Sequence, residues 1–204
     1  MNTKRVAILG FSFRLPGSTR DGFWPGLLSG RNFVSQVAPE RWDAESFWHP
    51  RKSHLGSSYT FAAGSIGDVS AFDADFFGIS PREAAQMDPQ QRLLLELGWE
   101  VLEDAGIRPS DIRGSQCGVF VGISTNDYSM RFADDLAVID SSTATGTSTS
   151  ITANRISYIF DLRGPSMAVD TACSSSLVAL HLACRSIVSG ETAQAIVGGI
   201  SLHL

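Results

Sequence analysis

A strand, a cysteine and a helix follow one another in the segment Met167-Ala168-Val169-Asp170-Thr171-Ala172-Cys173-Ser174-Ser175-Ser176-Leu177. The apolar run ends at Asp170, the backbone must turn, and a helix begins at or beside Cys173. A thiol placed there faces unsatisfied N–H groups and the positive end of the helix dipole, and both stabilise a thiolate. The same N–H groups can hold the oxyanion that develops when a thioester carbonyl is attacked. The turn is analogous to the nucleophile elbow of hydrolases, although no GxSxG surrounds it. Ala172 and Ser174 are small, which leaves room for a substrate.

The other reactive side chains read differently. Cys117 falls within a strand and Cys184 deep in the helix, the usual setting of inert, packed thiols. His181 shares a helix with Cys173, but eight residues place it about 12 Å along the axis. A general base must come within about 3 Å of its proton. His181 is therefore read as a packed helix residue, on a core face with Leu177, Leu180, Cys184, Ile187 and Val188. His49 and His54 lie in an irregular excursion from Ala44 to Asp75, and His203 stands next to the last residue. Asp170 and Thr171 are read as helix caps. Asn154 and Arg155 are read as loop ties or carboxylate partners. No spacing suggests a metal site.

The elements that must position Cys173 alternate between strand and helix, the signature of α/β layering. Val6–Leu9, Cys117–Ile123, Met167–Val169 and Ala195–Ile200 are short apolar runs suited to buried strands. Ser80-Pro81-Arg82-Glu83 has the form of a capping box. Asp88-Pro89-Gln90-Gln91 opens a long helix through Leu94, Leu97 and Leu102 that stops at Gly106. Further helices are expected over Ile151–Phe160 and from about Cys173 to Val188, the last ended by Gly190. The Ser- and Thr-rich stretch Asp140–Ser150 reads as a loop, and no linker divides the chain.

Composition narrows the class. The 204 residues are 43% hydrophobic and 18% charged, enough for a packed core. A net charge of −5 argues against an electrostatic nucleic-acid binder. No run approaches the roughly 20 apolar residues of a membrane span. Three cysteines without CxxC spacing fit reduced thiols in a cytoplasmic protein rather than a disulfide framework.

The segment Val169–Leu177 with Ala179-Leu180-His181 resembles the active-site signature of β-ketoacyl synthases, in particular the ketosynthase domains of type I polyketide synthases. Phe76-Phe77-Gly78-Ile79-Ser80-Pro81-Arg82-Glu83-Ala84, Met87-Asp88-Pro89-Gln90-Gln91-Arg92, Leu102-Glu103-Asp104-Ala105-Gly106, Asn154-Arg155-Ile156-Ser157-Tyr158, Gly164-Pro165-Ser166 and Val197-Gly198-Gly199 resemble the same domains, in the same order. The resemblance implies the N-terminal half of a thiolase-like α/β fold: a mixed five-stranded sheet layered with helices, plus insertions, with residues 1–204 as a single incomplete domain. It implies decarboxylative Claisen condensation in polyketide or fatty-acid biosynthesis by a 3-oxoacyl-[acyl-carrier-protein] synthase type acyltransferase. Cys173 would be the nucleophile, with its own N–H in the oxyanion hole. The implied partners are acyl carrier protein, acyl and malonyl-type thioesters, and a second copy in a homodimer whose sheets meet near Met167–Val169. No cofactor or metal is expected on the domain itself; phosphopantetheine arrives as the carrier's arm. HGTGT- and NxGH-like histidine motifs are not found in the sequence, which makes a non-catalytic scaffold or split-dimer partner the alternative.

Overall fold

The computed structural model describes residues 5–17, 20–133 and 136–203. The sequence offers no linker, yet the chain divides into two compact units, residues 13–69 and residues 5–12 with 70–203.

The smaller unit holds α1 (Arg20–Leu28), β1 (Val34–Gln36), α2 (Ala44–Phe47) and β2 (Ala62–Gly64). β1 and β2 pair antiparallel, with Val34 opposite Gly64. Aromatic rings supply the order that no hydrophobic period announced. Phe13 meets Phe23 with ring centres 5.0 Å apart, and Trp42 meets Phe61 at 5.0 Å and Phe47 at 5.8 Å. Most of the irregular excursion expected after Ala44 belongs to this unit.

The larger unit runs through α3 (Pro81–Gln86), α4 (Pro89–Asp104), α5 (Pro109–Ile112), β3 (Gly118–Ile123), α6 (Ser141–Thr147), α7 (Thr149–Phe160), β4 (Ser166–Val169), α8 (Ser175–Ser189) and β5 (Ala195–Ile200). Its sheet is parallel in the order β4-β3-β5, with β3 central and wholly buried. Side chains along β3 alternate as a pleated strand requires. Val119, Val121 and Ile123 join the core built by Leu94 and Leu95 of α4 and Ile156 and Phe160 of α7. Phe120 points the other way, to Ala179 and Ala183 of α8. The result is a helix–sheet–helix sandwich. The resemblance implied five strands in mixed orientation; among the described residues this sheet has three, all parallel.

Local chemistry starts and stops the helices where the sequence indicates. Ser80 accepts from the Glu83 N–H, and Asp88 accepts from the Gln90 N–H at 2.7 Å. Glu83 does not close a reciprocal box but pairs with Arg155 at 2.6 Å, a partly buried ion pair. Gly106 and Gly190 take the left-handed conformations that end α4 and α8. The stretch expected as a loop after Asp140 is helical. Asp140 caps Ser142 N at 2.7 Å, Thr143 Oγ1 accepts the Asp140 N–H at 3.0 Å, and that box outweighs the low helix propensity of Ser and Thr.

Three expectations about apolar segments are corrected. Val6–Leu9 is not a strand: Ile8 is 81% exposed, and no strand pairs with this run among the described residues. The residues that follow it are tied to α4 instead, through Phe11 N to Asp104 Oδ2 at 2.8 Å and Ser12 Oγ to the Leu97 carbonyl at 2.7 Å. In α8 the buried face is not the large apolar one. Ser175, Ala179, Ala183 and Ser186 are buried, while Leu177 is 71% exposed and Leu180, His181 and Val188 are exposed too. The sheet admits the small residues because it meets the helix at close range. The stretch Ala172–Ser189, mean hydropathy 1.3, is long and apolar enough to cross a bilayer, contrary to the expectation from the sequence. Here its small-residue stripe rests on β3 and β5.

These assignments predict opposite outcomes for two leucines. Leu95→Ala, at a site with no exposure, should lower stability by about 2–5 kcal/mol. Leu177→Ser should change it by less than about 0.5 kcal/mol. Urea unfolding followed by circular dichroism would measure both, and a large loss for Leu177→Ser would restore the apolar face of α8 to the core.

Candidate active site

Cys173 stands at the carboxyl end of β4, in the turn that leads into α8, on the edge where open parallel sheets place their ligands. Ser175 is the first helical residue, so the cysteine precedes the helix by two positions. The turn is sharp because Ala172 adopts φ +54°, in the left-handed region. For an alanine that conformation costs roughly 1–2 kcal/mol and persists only when its surroundings enforce it.

The enforcing contacts are short and local. Asp170 Oδ1 accepts the Ala172 N–H at 2.9 Å. Ser175 Oγ accepts the Thr171 N–H at 2.9 Å and donates to the Ala172 carbonyl at 2.7 Å. Ser174 Oγ donates to Thr171, at 2.8 Å to its carbonyl. Neither Asp170 nor Thr171 caps the helix as expected: Asp170 holds the Ala172 N–H of the preceding turn, and Thr171 accepts from Ser174. Ser174 at the head of α8 makes no capping bond, while Ser174 and Ser175 bind back across the turn.

From the sheet side, two glycines make the turn possible. Gly122 of β3 and Gly199 of β5 are register partners. A Cβ on Gly122 would sit 2.4 Å from the carbonyl carbon of Ser175 and the nitrogen of Ser176. A Cβ on Gly199 would sit 2.5 Å from the Ser176 side chain. The first turn of α8 lies directly on this bare patch of sheet. Sequence reasoning found Cys173 and missed these supports. Gly122 and the Gly198-Gly199 pair inside β-runs were the available signal, since glycine within a strand marks close approach of another backbone.

The three thiols differ as expected from their positions. Cys173 is exposed, Cys184 half-buried and Cys117 buried. Burial pushes the Cys117 thiol up to about 11. His181 lies nearly two turns into α8 and is exposed rather than packed, because its face of the helix turns away from the sheet. His49 and His54 stack on one another, 3.8 Å between ring centres, in the smaller unit. Among the described residues no side chain hydrogen-bonds the Cys173 sulfur, and no cluster of three metal-ligating side chains occurs. Arg155, read as a carboxylate partner, fulfils that role with Glu83 and also donates to Gln91 Oε1 at 2.9 Å.

An exposed cysteine on a left-handed turn ahead of a helix suits acyl transfer. The family model of the "Beta-ketoacyl synthase, N-terminal domain" matches residues 3–204. The chain belongs to the β-ketoacyl synthase family. It is 50% identical over 201 residues to a phenolphthiocerol/phthiocerol polyketide synthase of Mycobacterium tuberculosis, covering 98% of this chain and 13% of that protein. Among solved structures, the oxazolomycin ketosynthase domain OzmH KS7 of Streptomyces albus JA3453 superimposes with a TM-score of 0.89 at 39% identity, covering 96% of this chain and 34% of that one. A ketosynthase from module 6 of the bacillaene synthase of Bacillus subtilis 168, in mutant form, gives 0.86 at 38% identity, with 97% and 32% covered. The chain thus has the fold of the N-terminal part of thiolase-like ketosynthase domains and spans about a third of the length of these two solved chains.

Three outcomes follow from this geometry. Under limiting iodoacetamide, mass spectrometry should find Cys173 alkylated first, and Cys117 resistant until pH rises towards about 11. Because the folded thiol of Cys117 titrates above its ordinary 9.0, its contribution to stability is intact below pH 9 and falls away as pH rises towards 11. Gly122→Ala should displace the first turn of α8, cost roughly 1–3 kcal/mol, and slow Cys173 alkylation. Unchanged labelling in that variant would remove Gly122 from the site's support.

Proposed function

We propose that Cys173 is the acyl-accepting nucleophile of a ketosynthase that extends polyketide or fatty-acyl chains by decarboxylative Claisen condensation, a 3-oxoacyl-[acyl-carrier-protein] synthase type acyltransferase. The observation that carries the reading is the exposed thiol held before α8 by the left-handed Ala172. In the first half-reaction the Cys173 sulfur attacks the thioester carbonyl of an acyl chain on the phosphopantetheine arm of acyl carrier protein. A new C–S bond forms, the carrier's C–S bond breaks, and the carrier thiol leaves with a proton. In the second, a malonyl-type carrier thioester loses carbon dioxide. Its enolate carbon attacks the Cys173 thioester, forming a C–C bond and releasing the cysteine sulfur. Covalent catalysis divides one difficult step into two.

The chain's own residues contribute chiefly to the first half-reaction. The Cys173 N–H and the positive end of the α8 dipole offer support to the oxyanion. Stabilising the enolate requires further donors than the Cys173 turn supplies, and His181 stands nearly two turns along α8. In this reading those donors come from the rest of the synthase, as the family resemblance implies. The uncovered Leu177, Leu180 and Val188 of α8 support an assembly in which another protein surface covers them. A homodimer meeting along the β4 edge and a cytoplasmic setting complete the proposal. Phosphopantetheine is substrate-borne, and neither a metal nor a bound cofactor takes part.

Incubation with acyl-carrier and labelled malonyl-carrier tests the division of roles. The expected result is acylation confined to Cys173 and abolished by Cys173→Ala, with no β-ketoacyl product from this chain alone. Absence of acyl groups on Cys173 would overturn the nucleophile assignment. Robust product that depends on Cys173 would overturn the need for outside donors. Light scattering should show association rather than a monodisperse monomer.

A further inference from the structure

Gln90 has no exposed surface and sits at the start of α4, in a motif that sequence reasoning treats as helix capping and packing. Its side-chain amide is bonded at every available position. Oε1 accepts the Leu202 N–H at 3.1 Å and the Thr125 hydroxyl at 3.0 Å. Nε2 donates to the Thr125 carbonyl at 3.1 Å and to Asp88 Oδ2 at 3.2 Å. The Leu202 N–H can only donate and the Thr125 carbonyl can only accept, so the orientation of the amide is fixed by its partners.

These partners have a particular place in the fold. Thr125 lies three residues beyond Gly122, and Leu202 three residues beyond Gly199. Gly122 and Gly199 are the paired glycines on which the first turn of α8 rests. One buried amide therefore joins the outgoing ends of both strands to each other and to α4, at the edge of the sheet where Cys173 stands. We infer that Gln90 is a positioning residue for the Cys173 turn, acting through Thr125 and Leu202 to hold the Gly122–Gly199 platform flat beneath Ser175 and Ser176. The inference rests on Cys173 being the nucleophile. Without the clamp, a part-buried N–H and a part-buried carbonyl lose their partners, and the two strand ends can separate or twist. The left-handed Ala172 then loses the surface that enforces it.

The neighbouring Gln91 provides the internal comparison. It is equally buried on the same helix, but its amide donates to the carbonyls of Thr145, Gly146 and Ser148, away from the ends of β3 and β5. Loss of Gln91 loosens the fold, and loss of Gln90 disturbs the turn.

The test is competitive alkylation of the full 204-residue chain with limiting iodoacetamide, read by mass spectrometry as the ratio of Cys173 to Cys184 labelling, alongside the thermal midpoint. Global loosening raises the labelling of half-buried Cys184 and leaves exposed Cys173 fast, whereas a displaced turn slows Cys173 itself. Gln90→Met should lower the Cys173 rate about five- to ten-fold, the scale of losing one or two buried hydrogen bonds. Thr125→Val, which removes one hydroxyl bond, should lower it about two-fold and serves as the deciding variant if Gln90→Met does not fold. Gln91→Met should lower the thermal midpoint without slowing Cys173. Wild-type rates at Cys173 in both Gln90→Met and Thr125→Val, or equal slowing in Gln91→Met, would overturn the positioning role. A wild-type chain in which Cys173 is not the fastest thiol would instead overturn the nucleophile assignment on which the role depends.

Discussion

The close contact between the first turn of α8 and the bare backbone at Gly122 and Gly199 is the constraint on which the rest of the larger unit depends. A helix that begins so near a sheet cannot carry large side chains on the facing side, so Ser175, Ala179 and Ala183 line it. The same closeness leaves little chain between β4 and the helix, and Ala172 must enter the left-handed region to complete the turn. The exposed sulfur of Cys173 is the product of that sequence of requirements. Nothing about the cysteine itself places it there; the two glycines and the strained alanine do.

Electrostatics and polar bonding then secure the frame from the opposite layer. Arg155 reaches from α7 to Glu83 and Gln91, and Gln90 and Gln91 satisfy loop carbonyls that would otherwise be buried without partners. Burial pushes the Asp88 carboxyl above its ordinary range, against the opposing effect of the Gln90 hydrogen bonds that favour its charge. Such a network has a high penalty for incomplete satisfaction, which makes it a means of holding one arrangement rather than a large source of stability.

The legibility of this chain followed the physics of each signal. Strands β3, β4 and β5 were readable because buried parallel strands are continuous apolar runs, and Cys173 was readable as a candidate because a strand–cysteine–helix order sets a thiol beside a helix N-terminus. Helix α8 misled because hydrophobic periodicity reports where large side chains cluster, whereas backbone proximity selected the small ones for burial. The helix after Asp140 was hidden by its Ser and Thr composition, which a reciprocal cap overcame. Val6–Leu9 has the composition of a strand, but pairing depends on a free neighbouring edge, a property no local window contains. The Ala172 conformation and the Gln90 clamp are relations between distant segments, and only the glycines in β3 and β5 hinted at either.

The attachment of residues 10–12 to α4 has a meaning in time as well as space. The Phe11 N–H finds its acceptor 93 residues later in the chain, at Asp104. At ribosomal rates of about 5–20 residues per second, that acceptor is made roughly 5–20 s after the segment that needs it. During this interval Val6, Ile8 and Leu9 are already synthesised, apolar and without a seat. The three strands of the sheet, by contrast, are made in succession and joined by crossovers of local origin. Residues 11 and 12 thus wait for seconds between synthesis and settling, and the neighbouring Val6, Ile8 and Leu9 stay exposed in the folded chain.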